Sequence, residues 1–185
     1  GCVIKKDFEI PDVNELLVHV EPEIYINLGD EIRLEAQLNI DLNQVGGVTW
    51  YPAYGLDRTD SLVVFAQPYI TTPYFISVTD INGCEGQTQM KIIVRDPQIF
   101  IPTAFSPHNN DGNNDLFMIF AQDFGIEEIE LFEVFTRWGE RVFHAEKFQA
   151  NDEQYGWNGM HQGSQMNPAV FVYYAKIRLI DGRVL

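Results

Sequence analysis

Residues 105–115, reading FSPHNNDGNND, crowd oxygen-bearing side chains around one glycine. Asn109, Asp111, Asn113 and Asp115 fall at every second position, the spacing at which a calcium loop presents its ligands. The bidentate glutamate that closes an EF-hand is missing, since Met118, Ile119, Phe120 and Ala121 follow. The same residues have a second use. Ser106, Asn109, Asn110, Asp111, Asn114 and Asp115 have short side chains that hydrogen-bond nearby backbone, and Gly112 admits positive φ. The preferred reading is a tight loop knitted by its own backbone. Calcium on Asn109, Asp111, Asn113 and Asp115 is the alternative.

No other group has the spacing of a reactive centre. The histidines at 19, 108, 144 and 161 share no ligand pattern. Nucleophile-elbow, zinc-helix and phosphate-cradling glycine motifs are all missing, and Cys84 has no basic neighbour in sequence to lower its pKa. Glu127 and Glu128 are adjacent, with nothing to set their pKa values apart. An enzyme is not expected, nor any cofactor beyond the calcium alternative. Cys2 and Cys84 are too few for a metal cage, and free thiols are the default. Arg137-Trp138-Gly139-Glu140 joins two strand-like runs through a glycine suited to a left-handed turn position. It reads either as a docking surface or, preferred on sequence, as a turn whose Trp138 folds back on the sheet while Arg137 pairs with a carboxylate.

Composition narrows the partners. With 27 acidic against 12 basic residues the chain has a formal charge of −15, so a phosphate backbone would be repelled and nucleic acid is excluded. No apolar run approaches the roughly 18–20 residues of a membrane helix. Gly1 stands in place of an initiator methionine, so the chain is expected to be an internal part of a longer protein, with any export signal upstream.

The elements that must position these residues alternate with period two. In EIRLEAQL, Ile32, Leu34, Ala36 and Leu38 alternate with polar residues, the pattern of a strand with one buried face. Met90, Ile92 and Val94 repeat it, as do Phe171, Tyr173, Ala175, Ile177 and Leu179. In EIELFEVF the alternation through Ile129 and Leu131 slips by one to Phe132 and Val134, which predicts a bulge. Trp50 and Tyr74 read as core aromatics rather than a ligand platform. Turn residues fall between the runs at short intervals, so the fold class is all-β, as two tandem immunoglobulin-like β-sandwich domains. A boundary is placed at Asp96-Pro97, where a residue without a donor ends a strand. Residues 1–17 are then the tail of a preceding repeat, 18–96 one domain and 97–185 a second. Gly-Cys before a strand-like run at both 1–10 and 83–92 suggests an array with a period of about 80 residues.

Two resemblances sharpen this outline. Gly29-Asp30, Trp50-x-Pro52, Tyr74 and Asp80-x-x-Gly83-Cys84 resemble the immunoglobulin-like and PKD-like repeats of bacterial surface proteins, which act as spacers and adhesive stalks. IPTAFSPHNNDGNNDLF (101–117), VFTRWGERVF (134–143), YGWNGMHQGSQMNPAVFVYYAKI (155–177) and DGRV (181–184) occur in that order. Together they resemble the gliding-motility-associated C-terminal domain, the type B sorting domain of the type IX secretion system in Bacteroidota. Asn158 replaces that family's Asp, and Ala169-Val170-Phe171 its Gly-Val-Tyr. Family members continue through a last strand, so part of the signal is expected beyond Leu185.

The resemblance implies a C-terminal sorting module that takes a large protein through the periplasm to the cell surface or the medium, read there by outer-membrane type IX secretion machinery. The stalk repeat precedes it, and the chain is expected to be monomeric. The alternative is an adhesive surface module contacting glycan, with exposed aromatics or an ion-dependent loop.

Overall fold

The computed structural model describes residues 15–107, 112 and 114–185. Strands β1 Val18–His19, β2 Glu23–Asn27, β3 Ile32–Glu35, β4 Gln37–Leu38, β5 Val45–Tyr51, β6 Val63–Ala66, β7 Thr72–Asp80 and β8 Glu85–Arg95 come first. They are followed by β9 Ile99–Phe100, β10 Phe120–Ala121, β11 Ile126–Thr136, β12 Arg141–Phe148, β13 Met160–His161, β14 Ser164–Gln165 and β15 Phe171–Leu179. Two 3₁₀ turns, Leu42–Gln44 and Glu153–Tyr155, are the only helical segments among the described residues, so the protein is all-β. No helix among them is long and apolar enough to cross a membrane.

Two compact units result. One takes the described residues through Ile24 with Ile32–Ala66 and Thr72–Ile92; the other takes Tyr25–Glu31, Gln67–Thr71 and Ile93–Leu185.

In the first, antiparallel strands pair in the order β8-β7-β5, with the smaller pairs β3-β6 and β1-β4. The alternating run Ile32–Leu38 changes partners midway. Residues up to Glu35 pair with β6, the N–H of Ala36 donates to Leu62 O at 2.9 Å, and Leu38 pairs with Val18. Leu34, Ala36, Val64, Ile76, Val78, Met90 and Ile92 are buried, one face of each strand, as the period predicts. Trp50 and Tyr74 lie in this core. Each keeps its polar tip satisfied, Trp50 Nε1 donating to Ser61 O at 2.8 Å and the Tyr74 hydroxyl to Tyr54 O at 2.6 Å. Burial pushes the Tyr74 pKa up to about 12. At the β7–β8 turn Asp80 Oδ1 accepts from the N–H groups of both Asn82 and Cys84 at 2.8 Å, and Gly83 takes φ +86°. Cys84 is exposed there, and Cys2 lies outside the described residues.

The second unit is built on the three-stranded antiparallel sheet β12-β11-β15, with the pairs β9-β10 and β13-β14. The expected slip in β11 is a register shift, for Ile129 faces Ile177 while Leu131 faces Lys176. Glu130 is the extra residue, and it accepts from Lys176 Nζ at 2.6 Å and from Arg178. The bulge turns Phe132 and Val134 into the core and leaves Leu131 only half-buried. Beyond β15 the chain reverses at Asp181-Gly182, and the backbones of Ile177 and Leu185 exchange hydrogen bonds of 3.0 and 2.9 Å. Arg183 clamps this turn, reaching Asp181 at 2.5 Å and gripping Asp96 through both Nη atoms at 2.5 and 3.0 Å. That guanidinium holds the Asp96 carboxyl below the ordinary range.

Candidate docking surface of the second unit

Two of the sequence motifs, 101–117 and 155–177, meet in one aromatic cluster with Phe132 of β11. Phe117 and Trp157 exchange backbone hydrogen bonds of 2.9 Å, which ties the segment after the Asn/Asp-rich loop to the segment after the 3₁₀ turn. The Phe105 ring lies 5.5 Å from Phe117 and 5.3 Å from Trp157, centroid to centroid. Trp157 meets Phe171 edge-on at 4.9 Å, and Phe117 meets Phe132 at 5.6 Å and Tyr173 at 5.7 Å. Offset and edge-to-face arrangements of this kind add to the gain from burial alone. Trp157 is only 2% exposed, and its Nε1 donates to Met160 O at 2.9 Å.

Gly159 shows why the motif at 155–177 carries glycine. Its φ is +76°, and a Cβ there would stand 2.8 Å from Pro107 Cγ, inside any normal contact. The chain at Gly159 therefore lies flush against Phe105-Ser106-Pro107, and only a residue without a side chain fits. Sequence reading placed these residues in separate turns and missed that they share one wall. Around them opens a groove of about 830 Å³ lined by Phe105, Phe117, Trp157, Met166, Phe171 and Tyr173 among others. No lining side chain among the described residues carries a charge. Sequence reasoning did not foresee this groove.

Of the Asn/Asp-rich segment, Phe105, Ser106 and Pro107 line this groove. Ser106 N–H donates to Asn114 O at 2.8 Å, and Gly112 N–H to Asp115 Oδ2 at 3.1 Å. Gly112 and Asn114 take φ values of +78° and +54°. Asn109, Asn110, Asp111 and Asn113 lie outside the described residues, so only Asp115 of the four calcium candidates is placed. Its Oδ1 is buried without a hydrogen-bond partner among the described residues. No cluster of three or more His, Cys, Asp or Glu side chains suited to a metal occurs among them.

The Arg137–Glu140 turn differs from expectation. Trp138 does not fold back on the sheet; it is 87% exposed. Arg137 makes no ion pair among the described residues. The reason lies in the turn itself. Thr136 N–H donates to Glu140 O at 2.8 Å, its Oγ1 accepts from the N–H groups of Trp138 and Glu140 at 3.3 Å, and Gly139 adopts φ +86°. Closing the β11–β12 hairpin this way places residues 137–139 beyond the last paired rung, where a ring has no sheet to cover. Arg137, Trp138, Gly139 and Glu140 are all exposed. Glu140 Oε1 stands 3.4 Å from His161 Nε2, while His161 Nδ1 lies 3.2 Å from Val142 O, so β13 packs beside this turn.

Residues 99–183 match the CHU_C Type IX secretion signal domain. Among known structures the chain is similar to the Bacteroides ovatus mixed-linkage glucan utilization locus SGBP-B in complex with a mixed-linkage heptasaccharide. Identity is 14% over 88% of this chain and 49% of that one, with a TM-score of 0.23. The chain thus spans about half the length of that protein. No curated protein matches the chain.

Proposed function

We propose that residues 97–185 are a sorting module that directs a larger surface or secreted protein through the outer membrane by type IX secretion, with residues 18–96 as an immunoglobulin-like stalk repeat before it. The observation that carries this reading is the match of residues 99–183 to the Type IX secretion signal domain. The geometry supports it, because motifs scattered from Phe105 to Tyr173 close into one aromatic cluster. The machinery then reads a folded surface, and the exposed Arg137-Trp138-Gly139-Glu140 tip is its first contact. Trp138 offers a large ring beside a free guanidinium, the residue types that anchor protein interfaces. The module catalyses nothing and acts as a monomer.

The test is a periplasmic reporter ending in residues 97–185 and then the parent protein's own residues beyond Leu185, followed in cells with and without the secretion system. Delivery to the surface or medium only where the system is present is expected; delivery in its absence overturns the reading. The Asn/Asp-rich segment is read here as structural rather than as a cation site, on the Ser106–Asn114 and Gly112–Asp115 hydrogen bonds. Melting curves in millimolar calcium and in chelator should therefore coincide, because a cation bound only to the folded form raises the melting temperature by mass action. A rise with calcium would instead assign Asp115 and its neighbours to a cation.

A further inference from the structure

The outward face of the sheet in the first unit has two exposed rings that the fold does not use. Tyr51 on β5 is 70% exposed and Phe75 on β7 is 46% exposed, and the two face each other across adjacent strands. The pairing continues from Phe75 to Gln89 on β8, which gives the row Tyr51, Phe75, Gln89. Two residues along, the same face carries Thr49, Ser77 and Gln87. These residues line a shallow depression of about 400 Å³. No lining residue is charged, although the chain as a whole carries −15.

The chemistry selects a ligand. Two aromatic faces want an apolar, weakly polarised C–H surface laid flat on them. Glutamine amides supply donor and acceptor together, and Thr and Ser hydroxyls do the same, which suits a ligand made of hydroxyl groups. A polyanion finds no cation in the lining among the described residues, meets only Lys91 two residues beyond Gln89, and is repelled by the net charge. A neutral sugar chain has all three properties: C–H faces, hydroxyl edges and no charge. We propose that Tyr51 and Phe75, bordered by Gln87, Gln89, Thr49 and Ser77, form a stacking platform for a neutral polysaccharide. The platform is independent of the sorting module, and either reading stands if the other fails.

The experiment is affinity electrophoresis of the whole chain through gels containing a β-glucan, a mannan or a xylan, with alginate as a polyanionic control. Retardation by at least one neutral polysaccharide is expected. It should weaken about tenfold in Tyr51→Ala and in Phe75→Ala, the scale of one lost ring contact. Melting temperatures should stay unchanged, because both rings already stand in solvent. If an aromatic variant melts early, Gln89→Ala takes its place, with its exposed amide removed and the core untouched. Three results would overturn the platform: no retardation by any neutral polysaccharide, retardation by alginate alone, or undiminished retardation of the folded Tyr51→Ala/Phe75→Ala double variant.

Discussion

Two tryptophans with similar sequence settings, each followed within two residues by glycine, have opposite fates. Trp157 is packed between Phe105 and Phe171, while Trp138 stands at 87% exposure. Trp157→Ala should therefore cost about 3–5 kcal/mol, the usual range for deleting a buried aromatic. Trp138→Ala should change stability by less than about 0.5 kcal/mol, as an exposed surface substitution does. Urea titration of both variants checks the contrast, and a large loss at Trp138 would mean that the ring is covered. The backbone adds a third case. Gly159→Ala would hold alanine at positive φ with its Cβ against Pro107, at a cost of about 1–3 kcal/mol, read from the same titration. Residue type was legible in the sequence, but not the side of the turn on which a ring falls. That side depends on the Thr136 hydroxyl and on hairpin closure one rung earlier.

At the scale of elements, period-two alternation located the long strands, because burial of one face imposes it. The slip in β11 was legible for the same reason, since an extra residue moves every later side chain to the other face. Pairs as short as β9-β10 and β13-β14 were not, because two residues hold no period. Nor was the charge pattern along β11 and β12. Glu133 Oε1 accepts from Arg141 Nη1 at 2.7 Å and lies 3.0 Å from His144 Nδ1. The Arg141 hydrogen bond, foremost, holds the Glu133 carboxyl below its ordinary value. An unfolded chain would titrate it at the ordinary glutamate value. Because the folded pKa is the lower one, the contribution is fully present above that value and is lost as the pH falls through the folded pKa. Urea midpoints measured from pH 6 to pH 3 should fall, and Glu133→Gln should fall less steeply over the same window. Parallel curves for the two proteins would exclude the Arg141–Glu133 pair as a source of acid sensitivity.

At the scale of the whole molecule the question is whether the proposed secretion signal is a string of residues or a shape. The motifs matched by the Type IX secretion signal domain extend over residues 99–183, and Phe117 reaches both Phe132 on β11 and Tyr173 on β15, two strands that pair with each other. A linear tag would be indifferent to that pairing. A shape would not, and the two tryptophans separate the cases because one supports the fold and the other does not. Appended to a periplasmic reporter, the chain with Trp157→Ala should lose delivery in step with its loss of folded protein, measured by protease resistance of the same fusion. The chain with Trp138→Ala should remain protease-resistant and still deliver poorly if the exposed ring is a contact, and Arg137→Ala should act in the same direction. Full delivery by an unfolded Trp157→Ala fusion would make the signal linear. Full delivery by folded Trp138→Ala and Arg137→Ala fusions would move the contact away from the hairpin tip, toward the uncharged groove beside Phe105 and Tyr173.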